Sequence, residues 1–188
     1  MSRIISMAFL CAALSACGSY NPPDTARMPM TPQGALVINE SDAIDLVEYQ
    51  LGRPDSTHGN LELAARAVAA EDWLAGQTGL NGDYGNYAPA VRVPWVQFRQ
   101  EVRAAIGVAP GTPSQTVVDR LLIAAAALKR GDRPTAVAQL QPPAFTLGGE
   151  ATLAALDRLP AFAGYGPATS ELQSYLHRSS RCTILPFC

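Results

Sequence analysis

The sequence predicts an all-α protein that folds as a compact bundle of about seven short helices. Apolar residues recur at steps of three and four over most of residues 39–178, which is the spacing of one face of a helix. Capping residues, glycines and prolines separate these runs from one another. The one candidate strand, Ala90–Val96, is interrupted by Pro94, which disfavours it as a sheet element.

The first three helices are predicted from their caps and stops. Each begins at a capping residue or a proline and ends before a glycine, because glycine readily adopts the conformation that terminates a helix. The three predicted helices run from Asn39 or Ser41 to Leu51, from Asn60 to the residue before Gly76, and from Pro94 to Ile106.

Four further helices are predicted in the second half of the chain. Thr112-Pro113-Ser114-Gln115 matches a capping box and predicts a helix that ends at Gly131. Asp132 caps a shorter helix that reaches Leu140, and two more are expected over 149–159 and 167–178. Many facing positions are alanine, so the helix axes are expected to approach closely.

The segment from Leu128 to Leu140 looks like the turn region of a tetratricopeptide hairpin. A stacked array needs that unit repeated at a fixed period, and the chain contains no second copy of it. The sequence therefore favours a compact bundle over a repeat array.

The N-terminus has the organisation of an export signal. Arg3 supplies one positive charge, and an apolar run from Ile4 to Leu14 is too short for a permanent membrane span. The run ends in Leu14-Ser15-Ala16-Cys17. This motif resembles the lipobox of bacterial lipoprotein precursors, and the resemblance is confined to this N-terminal part of the chain.

The resemblance implies a lipid anchor. Residues 1–16 would be the signal peptide, cleaved between Ala16 and Cys17, and Cys17 would carry fatty acyl chains such as palmitate that attach the protein to the membrane. Two or three acyl chains anchor stably, whereas one is marginal. Gly18 follows the cysteine where an aspartate would signal retention in the inner membrane. The family pattern thus points to the periplasmic side of an outer membrane.

Residues 17–38 are expected to form a flexible tether behind the anchor, because this stretch is rich in prolines and small polar residues. The helical domain is assigned to residues 39–178 and a C-terminal tail to residues 179–188. Cys182 and Cys188 remain after Cys11 is cleaved off and Cys17 is acylated, and in an exported protein they predict one disulfide that pins the tail. His177 leaves a weaker alternative of a metal site near these cysteines.

Composition and motifs bound the function. The 188 residues carry 16 acidic and 14 basic side chains, a net charge of −2 that argues against a nucleic-acid partner. Nucleotide-binding loops, catalytic serine motifs and metal-ligand spacings are missing from the sequence, so we expect neither a cofactor nor a resident metal. No catalytic residue can be assigned from a local motif.

Several residues have both a functional and a structural interpretation. Glu71 and Asp72 suggest acid–base chemistry, but adjacent helical residues point about 100° apart, so a solvated helix face is favoured. His58 is interpreted as a solvent-exposed loop residue. The closely spaced Arg92, Arg99 and Arg103 suggest lipid phosphate binding, although ordinary solvated charge is again favoured.

The stretch from Gly79 to Pro89 is a candidate contact loop. It is long for a connector, and Tyr84 and Tyr87 lie among glycines and asparagines, a composition typical of contact surfaces. The alternative is a connector whose tyrosines fold back onto the core.

These observations predict a lipid-anchored domain that acts by binding or scaffolding, with the membrane and an envelope protein as partners. A spatially assembled hydrolase that uses Glu71, Asp72 or His58 is one alternative. A carrier of small apolar ligands between the helices is the other.

Overall fold

A computed structural model describes residues 24–32, 37–53, 55–78, 89–162 and 165–182 of the protein. Within these ranges the chain forms seven α-helices packed as a compact bundle and no strand, which confirms the all-α prediction. An isolated antiparallel β-bridge pairs Val108 with Phe145. The helices are α1 Glu40–Leu51, α2 Leu61–Gln77, α3 Pro89–Ala105, α4 Ser114–Lys129, α5 Arg133–Gln139, α6 Gly149–Leu156 and α7 Tyr165–Cys182.

Three predicted N-caps are confirmed by their hydrogen bonds. The Asn39 side chain accepts from the Asp42 backbone N–H at 2.9 Å at the start of α1. Asn60 accepts from Leu63 N–H at the start of α2, and Asp132 accepts from Thr135 N–H at the start of α5. Each bond satisfies one of the backbone donors that the first turn of a helix leaves unpaired.

The third helix begins earlier than predicted. It starts at Pro89, so Pro94 lies inside α3 and does not begin it, and the candidate strand over Ala90–Val96 is helical. Trp95, Phe98 and Val102 are buried along the helix as the periodicity indicated. Their burial compensates for the backbone hydrogen bond that the proline removes.

The predicted capping box at α4 is wrong. Thr112 donates its hydroxyl to the Ala109 carbonyl oxygen at 2.8 Å, and Pro113 occupies the N-cap position without a side-chain cap. The Gln115 side chain bonds to the backbone of Arg27 instead of reaching back to Thr112. At the other end of the domain, α7 continues to Cys182, so the helical part extends beyond the predicted boundary at residue 178.

Helix α2 is the centre of the bundle. It contacts α1, α3, α4 and α6, and every residue from Ala67 to Gln77 is buried. Much of its surface is alanine, which lets neighbouring helices approach from several sides. No helix in the described part of the chain combines the length and apolarity needed to cross a bilayer.

The first residue of α6 is a glycine for steric reasons. A Cβ at Gly149 would overlap the Val137 carbonyl oxygen and the Val137 side chain of α5, whereas a Cβ at Gly166 in α7 would meet nothing within 4 Å. We expect Gly149→Ala to destabilise the protein by about 1–3 kcal/mol, because the clash involves backbone and forces α5 and α6 apart.

The matched control is Gly166→Ala, which adds the same methyl group to a helix in open space. It is expected to stabilise the protein by about 0.4–1 kcal/mol through the reduced entropy of the unfolded chain. Urea unfolding of both variants measures the difference, and equal effects would contradict the steric account.

Candidate functional site

A buried ion pair joins α2 to α3. Asp72 is fully buried, and Arg103 donates to its two carboxylate oxygens at 2.6 and 2.9 Å. The Arg103 side chain is only 16% exposed. The two parallel bonds match the planar guanidinium to the carboxylate, which is the geometry in which a buried pair is best stabilised.

Arg103 also contacts the start of α4 and the N-terminal part of the chain. Its guanidinium donates to the Thr112 carbonyl oxygen at 3.0 Å, to the Ser114 hydroxyl at 2.7 Å and to the Asp24 carboxylate at 3.2 Å. Burial alone would lower the pKa of Arg103, but the Asp72 hydrogen bond and the charges of Asp72 and Asp24 raise that pKa above its usual value. The arginine is therefore firmly cationic in its buried position.

Asp24 caps α4 from a distant part of the chain. The Ser114 backbone N–H donates to one Asp24 carboxylate oxygen at 2.7 Å, and the Ser114 hydroxyl donates to the other at 3.1 Å. Arg99 donates to the Asp24 carbonyl oxygen at 2.8 Å. Since a negative charge at a helix N-terminus is favourable, Asp24 takes the role that the sequence assigns to Thr112.

The residues after Asp24 dock onto the bundle as well. Ala26 and Met28 are buried, and Gln77 at the end of α2 donates to the Ala26 carbonyl oxygen at 2.9 Å. Gln115 of α4 binds both the N–H and the carbonyl oxygen of Arg27. We call residues 24–30 the N-terminal latch. The prediction of a flexible tether over residues 17–38 does not hold for the latch, because side chains of three helices bind its backbone.

Glu71 is the second buried carboxyl of α2. It is fully buried, and neither of its carboxylate oxygens has a hydrogen-bond partner among the described residues. Burial, followed by the negative charge of Asp72, raises the pKa of Glu71 well above its ordinary value, and the opposing charges of Arg99 and Arg103 do not cancel this effect. The expectation that Glu71 and Asp72 form a solvated helix face is wrong, because other elements cover α2 on all sides.

An aromatic cluster lies beside Glu71. The Tyr165 ring packs against Phe98 with centroids 4.1 Å apart and against Trp95 and Phe162 at 6.0 and 5.6 Å. Burial and the Glu71 charge raise the pKa of the Tyr165 hydroxyl. Neither this hydroxyl nor the Trp95 indole nitrogen has a hydrogen-bond partner in the described structure. Interaction with the Tyr165 side chain in turn lowers the pKa of Glu71, although this effect is smaller than that of burial.

His58 lies in a separate surface groove. The groove has a volume of about 570 Å³ and is lined by Asp55, His58 and residues 157–161. The Nδ1 atom of His58 lies 3.1 Å from an Asp157 carboxylate oxygen, while the other oxygen accepts from the Gly59 N–H at 2.8 Å. We call this concavity the His58 groove. Asp157 orients the ring and leaves Nε2 outside the pair, where it can form a hydrogen bond with a ligand.

The structure separates the residues that the sequence suggested for catalysis. Glu71 and Asp72 are in the interior with Arg99 and Arg103, whereas His58 is 69% exposed and pairs with Asp157. The interpretation of His58 as exposed is thus correct, although it has a partner. The solvated-charge interpretation is wrong for Arg99 and Arg103, whose side chains are both 16% exposed.

Other predicted site residues lie outside the described ranges. These are the cleavage and lipidation residues Ala16 and Cys17, the loop tyrosines Tyr84 and Tyr87, and Cys188. Cys182 ends α7, but its side chain and that of His177 are not among those described, so the disulfide stays a prediction. No cluster of potential metal ligands occurs among the residues that the structure describes.

Sequence reasoning missed Asp24, Ser114, Asp157 and Tyr165. The one usable signal was the spacing of Arg99 and Arg103, which places two arginines on one face of α3 and calls for carboxylate partners.

No protein-family model, curated protein or solved structure matches the chain.

Proposed function

We propose that the protein is a lipid-anchored lipoprotein of the bacterial envelope whose helical domain acts by binding, without catalysis. Residues 1–16 direct export, Cys17 carries the acyl chains, and the domain lies on the periplasmic side of the outer membrane. Its partners are the membrane and a second envelope protein.

The observation that carries this proposal is the N-terminal latch. Asp24 follows the lipobox cysteine by seven residues and is held by Arg99, Arg103 and Ser114. Because the chain docks onto the bundle so soon after the anchor, the short connection limits where the bundle can lie relative to the anchor. This arrangement suits a scaffold that presents one surface at a defined place.

The two polar sites favour binding over catalysis. In the interior, Arg103 and Asp72 bond to each other, and Arg103 also bonds to Thr112 and to Ser114 at the start of α4, which stabilises the fold. In the His58 groove the imidazole is 69% exposed, where water competes for its hydrogen bonds. Electrostatic catalysis is strongest where water is excluded, so this groove is better suited to contacting a partner.

The decisive variant is Cys17→Ala. Because the acyl chains supply the membrane attachment, we expect this variant to move from the detergent phase to the aqueous phase in detergent partitioning and to lose incorporation of a labelled fatty acid. The matched control is Cys11→Ala, which removes a cysteine of the cleaved leader and leaves both readouts unchanged.

If Cys17→Ala stays in the detergent phase, the lipoprotein proposal is wrong. Crosslinking of the anchored protein in intact cells then tests the binding role. Recovery of a specific envelope protein crosslinked to it supports the scaffolding role. Failure to form a crosslink from any position tested on the domain would contradict that role.

A further inference from the structure

The latch and the His58 groove lie at opposite ends of the bundle. At one end, Gly76 near the C-terminus of α2 packs against the Asp24 backbone, and Ser114 at the N-terminus of α4 binds the Asp24 carboxylate. At the other end, Leu61 of α2, Leu128 of α4 and Asp157 line one concavity, and Asp157 also lines the His58 groove. Helices α2 and α4 are therefore antiparallel, and each runs from the latch end to the groove end.

The length of these helices sets the distance between the two ends. At about 1.5 Å per residue, α2 from Gly76 to Leu61 and α4 from Ser114 to Leu128 each cover roughly 21–23 Å. The His58 groove is thus separated from the latch by most of the length of the bundle.

The chain between the anchor and the latch is short compared with the domain. The seven residue-to-residue steps from Cys17 to Asp24 span about 24 Å when the chain is fully extended. A domain of about 160 residues has a radius of gyration of roughly 15 Å, and hence a diameter of roughly 39 Å if spherical. If the domain were inverted, Asp24 would lie farther from the membrane than the connecting chain reaches.

We propose that the latch fixes the orientation of the domain on the membrane. The end formed by Asp24, the C-terminus of α2 and the N-terminus of α4 faces the lipid bilayer, and the His58 groove faces away from it. This inference rests on the proposed lipid anchor at Cys17. It identifies the latch end as a lipid-facing surface and leaves the groove end accessible to a partner in the aqueous compartment.

The charges of the latch end are compatible with an anionic lipid surface. The carboxylates of Asp24 and Asp72 are both paired with Arg103, and Arg99 lies 3.9 Å from Asp24, so two arginines compensate these two negative charges. Arg27 is exposed, and Gln115 holds its backbone on both sides. An arginine held this close to the anchor is attracted to anionic headgroups.

The test measures the height of two positions above the lipid surface. Pro110→Cys and Arg130→Cys place a donor dye in exposed loops before and after α4, one near each end of the bundle. Cys182 and Cys188 are replaced by serine in both variants. The acylated protein, purified from membranes, is reconstituted into vesicles of phosphatidylethanolamine and phosphatidylglycerol that carry an acceptor dye on their headgroups.

We expect more efficient energy transfer from position 110 than from position 130. A matched pair of the same two cysteine variants contains a 20-residue insertion of glycine and serine between Gly18 and Ser19. The insertion lengthens the connection to about 95 Å and permits every orientation of the domain. In that pair the difference between the two positions should disappear.

Equal energy transfer from both positions in the protein without the insertion overturns the proposed orientation. A difference between the positions that persists unchanged after the insertion overturns it as well. Flotation of the same vesicles separates this result from failure of the anchor. Protein that floats but shows no preferred end is anchored without orientation, whereas protein that does not float refutes the anchor and the orientation together.

Discussion

The variant Arg103→Met is expected to lower the free energy of unfolding by about 3–5 kcal/mol. Methionine retains most of the apolar stem of the arginine but removes its charge and donors. Asp72 is then left as an unpaired carboxylate in the fully buried centre of α2, and the Thr112 carbonyl, Ser114 and Asp24 each lose a hydrogen bond. Urea unfolding followed by circular dichroism measures the loss.

The chain offers a matched control in Arg133→Met. Arg133 also donates to a carboxylate at 2.6 Å, that of Glu150, but both side chains are more than half exposed. Exposed ion pairs contribute little because water already solvates both charges. We therefore expect a minor effect from Arg133→Met, and comparable losses in the two variants would show that burial does not set the strength of the Arg103 contact.

The variants of Glu71 are expected to be more stable than the native chain. Glu71→Met replaces a buried carboxyl, without a hydrogen-bond partner among the described residues, with an apolar side chain of similar length. Relief of an unsatisfied buried polar group is worth about 1–3 kcal/mol. The gain is measured as a higher midpoint of urea unfolding at neutral pH, and a loss of stability would show that the carboxyl has a stabilising partner.

The Glu71→Gln variant tests the pH dependence of stability. The pKa of Glu71 is raised in the folded protein, chiefly by burial, so between its unfolded and folded pKa values the folded state binds more protons than the unfolded state. The contribution of this group to stability is then complete in acid and is lost as the pH rises above the ordinary range of a glutamate. Glutamine does not titrate, so the stability of the variant relative to the native chain should increase from pH 4 toward pH 8.

The control for this comparison is Glu62→Gln on the same helix. Glu62 is partly exposed and lies 3.5 Å from Arg66 one turn away. Its replacement removes one glutamate from α2 without affecting the buried charges. If the stability of Glu62→Gln relative to the native chain rose with pH as much as that of Glu71→Gln, burial would not explain the pH dependence at Glu71.

The sequence predicts the helices well because their signals are local. Asn39, Asn60 and Asp132 each cap a helix within three residues of their own position, and apolar spacing is read within a single helix. The error at Pro94 has a local cause too, since a proline is a common first residue of a helix. Only the structure shows that residues 89–93 are already helical, which places this proline inside α3.

The candidate sites were much less predictable, because they depend on residues far apart in the chain. Asp72 and Arg103 are 31 positions apart, and Gly59 and Asp157 are 98 positions apart. The burial of Glu71 in particular could not be predicted, because α2 is rich in alanine. An alanine-rich helix face is compatible with exposure to solvent and with packing against a neighbouring helix. Only the assembled bundle shows that every face of α2 after Ala67 is covered.

The latch also has a consequence for the order in which the chain folds. Asp24 caps a helix whose first residue lies 90 positions later, so closing this contact requires α1, α2 and α3 to be present and a long loop to be ordered. Contacts of such separation form slowly compared with those inside a helix. The N-terminal latch is synthesised before all seven helices and is among the last segments to reach its native position. The start of α4 therefore stays uncapped until the N-terminal latch docks, although Asp24 is synthesised 90 positions before Ser114.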